Sequence, residues 1–364
     1  MRIGIDIRKY YDYGIGTYIQ NLVNVYRGKP GMECVYFAAP DLRSEDAGTM
    51  NGEVIVDHSP KYSLQELLSV STKANDRTLD LFHAPHYTLP FRLSMPSVVT
   101  VHDIIHLRMK QYFSAPKRAY AYAMIRHACR SSSAVIVDSA FGKKELLDVF
   151  SIPERKVHVI PLGVNAEYFT RETPEQLEAF RKRVRITKPY VLYTGSVKPH
   201  KNIPTLLKAM STICRTNDVH LVFSGESVTE HAELSRMIAS YGMNDHVIDL
   251  KRVHPDELRM AYQGASAVVL PSFYEGFGFS VLEAMASGVP AIGARAASIP
   301  DVIGDAGVLF DPNSAEDLTA ALQQVLSDNA HRTALVSKGI LRAQQFTWGQ
   351  CAERTFNVYQ EVLQ

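Results

Sequence analysis

Cysteine is scarce in this chain, and tryptophan occurs once among 364 residues. The four cysteines, Cys34, Cys129, Cys214 and Cys351, are scattered, with no C-x-x-C pair. That spacing excludes a disulfide framework and a paired-cysteine zinc site, and reduced thiols in the cytoplasm are the plain reading. Charge of one sign is also lacking. Lys and Arg number 39 against 38 Asp and Glu, a net charge of +1, so no strong field for nucleic acid is expected. No run approaches the ~20 apolar residues that a membrane helix needs. The opening residues 1–7 are too short and too interrupted for a signal-peptide core. Short-period repeats and low-complexity tracts are missing too.

What is present is an ordinary globular composition, 46% hydrophobic and 21% charged. The length suits two domains. Short apolar runs fall at 3–7, 34–38, 53–56, 97–101, 134–137 and 157–160, and again at 190–194, 220–223, 246–250, 267–270, 291–293 and 308–310. Amphipathic helical patterns separate them. This alternation predicts βαβ units and parallel sheets buried on both faces. The fold class is therefore α/β, with two doubly wound, Rossmann-like domains of about six strands each. The expected domains are 1–168 and 169–346. A last helical pattern within 347–364 is expected to cross back to the first domain.

Charge is uneven locally. From Ile104 to Val137 no acidic residue occurs, while Arg108, Lys110, Lys117, Arg118, Arg126 and Arg130 are basic and Tyr112, Phe113, Tyr120 and Tyr122 lie among them. Such a stretch suits anionic lipid headgroups or a phosphorylated acceptor. A solvated face whose aromatics pack inward is the alternative.

The segment 273–290 carries the most chemistry. A strand candidate leads into a glycine-bearing loop that opens a helix, which makes an anion cradle of outward N–H groups and a favourable dipole. Glu275 stands in the loop and Glu283 on the helix. A carboxylate beside an anion cradle suits sugar hydroxyls next to phosphate, which together describe a nucleotide-sugar. Glu283 has a second reading, because Ser280 and Glu283 have the spacing of a capping box. The segment 193–204 has the same design. Gly195 permits a tight turn, Lys198, His200 and Lys201 crowd the loop, Asn202 is placed as an N-cap, and Pro204 falls in the first helical turn. Both loops leave the C-terminal edge of one sheet, where doubly wound folds bind ligands. His102 follows an apolar strand, and a structural bond to Asp103 is one reading of it. His83, His86 and His106 lie nearby without any H-E-x-x-H pattern, so no metal site is expected. Asp6 and Arg8 are candidates for a simple ion pair. A dehydrogenase is disfavoured, because Gly14-Ile-Gly16 lacks the third glycine of the dinucleotide fingerprint.

Taken in order, Gly14-Ile-Gly16, Val101-His-Asp103, Pro161-Leu-Gly-Val164, Lys201-Asn202, Phe223-Ser-Gly225 and Glu275…Glu283 cover nearly the whole chain. In this the chain resembles the retaining glycosyltransferases of the GT-B fold, family GT4 (glycosyltransferase group 1), with a mannosyltransferase-like cast at 14–18 and 346–348. The resemblance implies two domains facing a cleft, the first on the acceptor side and the second holding a nucleotide diphosphate sugar. Glu275 and the N–H groups of Gly276, Phe277 and Gly278 would hold the donor sugar. Glu283 would hold the ribose, and Lys201 the diphosphate, with the helix start near Ser280 and Val281. Gly195 would shape the turn, Gly16 would let the backbone near the diphosphate, and His102 would sit by the reacting sugar. Arg252 and Val253 fall where the base is cradled. Relatives often carry an arginine after the strand-end glycine. Ser196 stands here instead, and Lys198 is the substitute clamp. The implied reaction is hexosyl transfer, with GDP-mannose favoured as donor and UDP-sugars next, and a glycan or lipid-linked saccharide as acceptor, without a metal or other cofactor. The expected location is cytoplasmic, with peripheral contact at the inner membrane face through 108–130. A nucleotide-sugar epimerase and a non-catalytic nucleotide-sugar-binding protein are the alternatives.

Overall fold

Short apolar runs separated by helices can satisfy their backbone only by pairing side by side as parallel strands, each covered above and below. The computed structural model, which describes residues 1–364, contains two such sheets. The chain divides into two units, Met1–Gly163 with Trp348–Gln364, and Val164–Thr347.

In the first unit the strands are β1 (Arg2–Asp6), β2 (Glu33–Ala38), β3 (Gly52–Val56), β4 (Leu81–Ala84), β5 (Ser97–Thr100), β6 (Ala134–Val137) and β7 (Val157–Val159). They are parallel, in the order β3-β2-β1-β4-β5-β6-β7. Six strands are expected from the sequence and seven are found. The additional one is β4, Leu-Phe-His-Ala, four residues long with a histidine inside it, so its apolar run is too broken to register. It is nevertheless central, pairing Leu81, Phe82 and His83 with Ile3, Gly4 and Ile5. Strand order therefore reverses between β1 and β4. Ile3, Ile5, Phe82, Val98 and Val135 are fully buried, each stabilising the sheet by roughly 2 kcal/mol.

The helix Trp348–Leu363 packs within this unit, burying Trp348, Phe356, Val358 and Tyr359. Tyr26 donates to the Ala352 carbonyl at 3.0 Å. The Tyr359 hydroxyl meets His83 Nδ1 at 2.6 Å, and His83 Nε2 meets Thr100 at 2.9 Å. Burial, with His102 adding a little, pushes His83 down to about 3, so it is a neutral core histidine.

The second unit holds β8 (Tyr190–Gly195), β9 (His220–Gly225), β10 (Val247–Asp249), β11 (Ala267–Leu270), β12 (Ala291–Ala294) and β13 (Val308–Phe310). Their order is β10-β9-β8-β11-β12-β13, again parallel. Here the reversal lies between β8 and β11. The helix Ile203–Thr216 buries Ile203, Leu206, Leu207, Met210 and Ile213, the i, i+3, i+4 stripe that keeps it on the sheet. The ends of β8, β9 and β10 are tied in a row. Glu226 N–H donates to Gly195 O and Gly225 N–H to Lys251 O, both at 2.9 Å. Both units are thus doubly wound α/β domains. No helix in the chain is long and apolar enough to cross a membrane.

Candidate functional site

The reversal between β8 and β11 is where the two sequence-marked loops emerge. After β8, a 3-10 turn, Pro199–Lys201, ends on Asn202 in the left-handed conformation, φ 57°. Asn202 occupies the N-cap position of the next helix, but its side chain makes no cap bond. It donates instead to the carbonyls of Pro271 and Pro312, at 3.0 and 2.8 Å, and so fastens the two loops together. His200 O accepts from Phe273 N–H at 2.8 Å. This scaffold brings Lys201 Nζ to 2.7 and 2.8 Å from the two carboxylate oxygens of Glu275. Ser272 donates to the same carboxylate at 2.6 Å. The buried Ser298 hydroxyl lies 2.9 Å from Glu275 O and 3.0 Å from Phe277 O, and so holds the loop from below. The Lys201 and Glu275 side chains keep 19% and 14% of their exposure, so ligand oxygens can still reach them. His200 adds no charge. Burial first, then Lys201 and Lys198, push it to about 4, so the cations of this loop are Lys198, which is exposed, and Lys201.

Glu283 lies on the helix Phe279–Ala286, whose N-cap is Gly278 at φ 110° with no side-chain cap bond. The capping-box reading is therefore corrected. Ser280 is already inside the first turn, and the left-handed N-cap leaves its hydroxyl no role in capping. Glu283 Oε2 accepts from the Tyr262 hydroxyl at 2.7 Å, and Tyr168 supplies a second hydroxyl. Tyr262 also meets Thr194 Oγ1, at the end of β8, at 2.7 Å. Through Tyr262 the Glu283 carboxylate is joined to the β8 end, and the loop that follows β8 carries the Lys201 that pairs with Glu275. Burial pushes the Glu283 carboxyl up to about 7, although both tyrosines pull the other way.

The remaining residues marked in the sequence distribute as follows. Gly195 closes β8 at φ 137°. Phe277 is buried between Phe279 and Phe346, with ring centroids 5.7 and 5.9 Å away. Gly276 and Gly278 flank it in the loop. Ser280 and Val281 are buried in the first helical turn, whose N–H groups have no intrahelical acceptor. Arg252 and Val253 follow β10, at the outer strand of the sheet. Thr194, Tyr168, Tyr262, Ser272 and Ser298 are site-building residues that the sequence did not single out. Nothing in local spacing marks a tyrosine or serine whose partner lies far along the chain. A hollow of about 670 Å³, lined by Pro189, Val219, Ser266 and Pro290, opens at the other edge of this sheet, before its strands begin, and gathers no such constellation.

Two marked residues belong to the first unit. His102 does not bond Asp103, whose carboxylate instead accepts from Ile105 N–H at 3.0 Å. It bonds Asp138, with Nδ1 to Oδ2 at 2.8 Å, while Nε2 faces the Pro85 carbonyl at 3.0 Å. A carbonyl only accepts, so Nε2 carries a proton. Burial pulls His102 down, but Asp138 more than offsets it and the net shift is upward. Burial in turn pushes the Asp138 carboxyl up, and His102 draws it back. A Cβ on Gly16 would stand 2.4 Å from Tyr10 O, so glycine is needed there for close backbone packing. In the basic stretch, Arg108 is already paired with Glu145 and Asp148, and Tyr120 packs on the core. No group of three or more His, Cys, Asp or Glu side chains is placed to hold a metal.

Comparison with known proteins gives this arrangement a family. Residues 175–342 match the model of glycosyl transferases group 1, and residues 13–168 match that of glycosyltransferase family 4. The chain is 31% identical over 281 residues to the O-antigen chain mannosyltransferase B of Escherichia coli, covering 77% of this chain and 74% of that protein. It is 27% identical over 285 residues to the MMP alpha-(1->4)-mannosyltransferase of Mycolicibacterium hassiacum, covering 75% and 67%. Among solved structures it is similar to Anabaena HepE in complex with UDP and glucose, with a TM-score of 0.80, 18% identity, and coverage of 99% and 100%. It is also similar to WaaG, a glycosyltransferase involved in lipopolysaccharide biosynthesis, with a TM-score of 0.77, 16% identity, and coverage of 98% and 99%. The chain belongs to the group 1 glycosyltransferases, as a hexosyltransferase of the GT-B fold.

Proposed function

We propose that this enzyme moves a mannosyl group from GDP-mannose to a hydroxyl of a glycan or lipid-linked saccharide, with retention of anomeric configuration and without a metal ion. The observation that carries the reading is the two-pronged contact of Lys201 with Glu275 at the strand reversal of the second unit. An ammonium and a carboxylate side by side suit a ligand with an oxyanion next to a diol. Glu283, one hydrogen-bond step from the β8 end, suits the ribose. The mannosyltransferase names of the relatives support the sugar.

In this reading the C1–O bond to the diphosphate breaks as the acceptor oxygen bonds C1 on the same face. The departing phosphate oxygen takes the acceptor's proton. Negative charge grows on the diphosphate, where Lys201 and the N–H groups opening the helix Phe279–Ala286 are already oriented to meet it. Positive charge grows on the sugar, which Glu275 anchors.

A thermal-shift panel of GDP, UDP, ADP and their sugars tests the donor, because a true ligand raises the melting point by mass action. GDP and GDP-mannose should give the largest rise. Lys201→Ala and Glu275→Ala should each lower transfer about 100-fold or more while the ligand-free melting point stays within a few degrees. Transfer at the wild-type rate in both variants would remove the site.

A further inference from the structure

The first unit has its own strand reversal, between β1 and β4, and a buried polar cluster sits at that edge. Arg8 is held there between two carboxylates, although its Nη1 makes no aligned hydrogen bond. Its Nε meets Asp6 Oδ1 at 2.9 Å, Nη2 faces the other Asp6 oxygen, and Nη1 lies 3.0 Å from Glu66 Oε1. Lys9 beside it is 4% exposed, yet its Nζ has no hydrogen-bond partner. Glu66 Oε2 and His86 Nδ1, also buried, have none either. Buried groups of this kind without partners are costly, so the space they line calls for an occupant. All three residues line one cavity of about 10 Å³, which has room for a single water-sized group. Its outer neighbour is Tyr62, 44% exposed and held at φ 65°, whose ring centre lies 3.6 Å from Lys9 Nζ.

The donor and acceptor inventory selects the occupant. Asp6 and Glu66 offset Arg8 and Lys9, so the pocket has no net sign. An anion would face the unpaired Glu66 oxygen, and a cation would face the Lys9 ammonium. A hydroxyl accepts from Lys9 and donates to Glu66 or His86 with the same atom. An exposed aromatic ring beside it suits the apolar face of a sugar ring.

We propose that this pocket receives one hydroxyl of an uncharged hexose, the terminal sugar of the acceptor, with its ring laid against Tyr62. The assignment rests on the transferase reading, which requires an acceptor sugar but does not itself say what holds it.

Saturation-transfer NMR of the full chain with methyl hexosides (α-mannoside, α-glucoside, α-galactoside and the N-acetylglucosaminide) tests it. At least one should bind. Its Kd should rise tenfold or more in Lys9→Met, should not change in Glu275→Ala, and should be insensitive to inorganic phosphate. Binding of none of the four, equal binding in Lys9→Met, loss in Glu275→Ala, or displacement by phosphate would each overturn the pocket. Lys9→Met replaces an ammonium that has the Tyr62 ring but no hydrogen-bond partner by an apolar chain of similar length, and is expected to fold. If it does not, Tyr62→Ala, at the surface, decides alone, and unchanged hexoside binding there overturns the assignment. The GDP thermal shift keeps the two readings apart. Stabilisation by GDP without hexoside binding rejects the pocket and leaves the transferase reading standing, whereas the lack of any nucleotide effect rejects the reading.

Discussion

Glu283 is held against its own burial by hydroxyls rather than by a cation. Two tyrosines donate to it, and still its carboxyl is pushed up to about 7. An acid whose folded pKa exceeds its unfolded value, 4.5 here, favours the folded state most below 4.5 and loses that contribution as pH rises through 7. At ~1.4 kcal/mol per pKa unit, discounted because the side chain is not wholly enclosed, the ligand-free enzyme should lose about 2 kcal/mol from this group between pH 5 and 8. Glu283→Gln still offers an amide oxygen to Tyr262 and carries no charge. Urea unfolding of both proteins across that range should give a difference favouring the variant by about 2 kcal/mol at pH 8 and vanishing near pH 4.5. A difference that does not vary with pH would show that the carboxylate is ionised at little cost. His102 shows the complementary case of a ring fixed by a partner. The sequence suggested the neighbour Asp103, but the partner is Asp138, at the end of β6, the strand paired with β5.

At the scale of elements, what was legible in the sequence followed from periodicity. Eleven of the thirteen strands are apolar runs whose bounds shift by no more than one residue at either end, and His220–Gly225 runs two further. Helix starts at Pro174 and Ile203 follow from their prolines. The loops carrying Glu275 and Lys201 were legible because each sits between a strand and a helix. What was not legible depends on long-range pairing. The strand β4 is short and interrupted by His83, whose polarity is satisfied only by Thr100 and Tyr359. Missing it hides the strand reversal of the first unit, and with it the pocket of Lys9 and His86. The helix Tyr13–Tyr26 illustrates a different limit. The resemblance gives Gly16 a role beside a ligand, and the structure adds a packing demand that the sequence does not show, because a Cβ there would meet the Tyr10 carbonyl. A carbonyl cannot swing aside as a flexible side chain does. Gly16→Ala should therefore displace the 9–12 turn and destabilise the first unit by about 2 kcal/mol, in the range of overpacked cores. Calorimetry would read it as a lowered transition that GDP does not restore. An unchanged transition would mean that the turn yields cheaply.

For the molecule as a whole, the terminal helix decides how independent the two units are. Val164–Thr347 is one continuous segment with its own sheet and its own lysine and glutamates. The first unit is discontinuous, because its core is completed by Trp348–Leu363. Removing 348–364 takes away Trp348, Phe356, Val358 and Tyr359 from packed positions and leaves His83 Nδ1 and the Tyr26 hydroxyl without partners. Each large buried side chain lost is worth about 2–5 kcal/mol, which together exceeds or approaches the ~5–15 kcal/mol that holds a domain folded. The chain ending at Thr347 should thus unfold its first unit while the second remains folded. Proteolysis should then trim it to a fragment beginning near Val164, and that fragment should still gain thermal stability from GDP. Truncation that left both units protease-resistant would show that the helix is an accessory to the first core. Collapse of GDP-induced stabilisation together with the first unit would show that the second does not fold by itself.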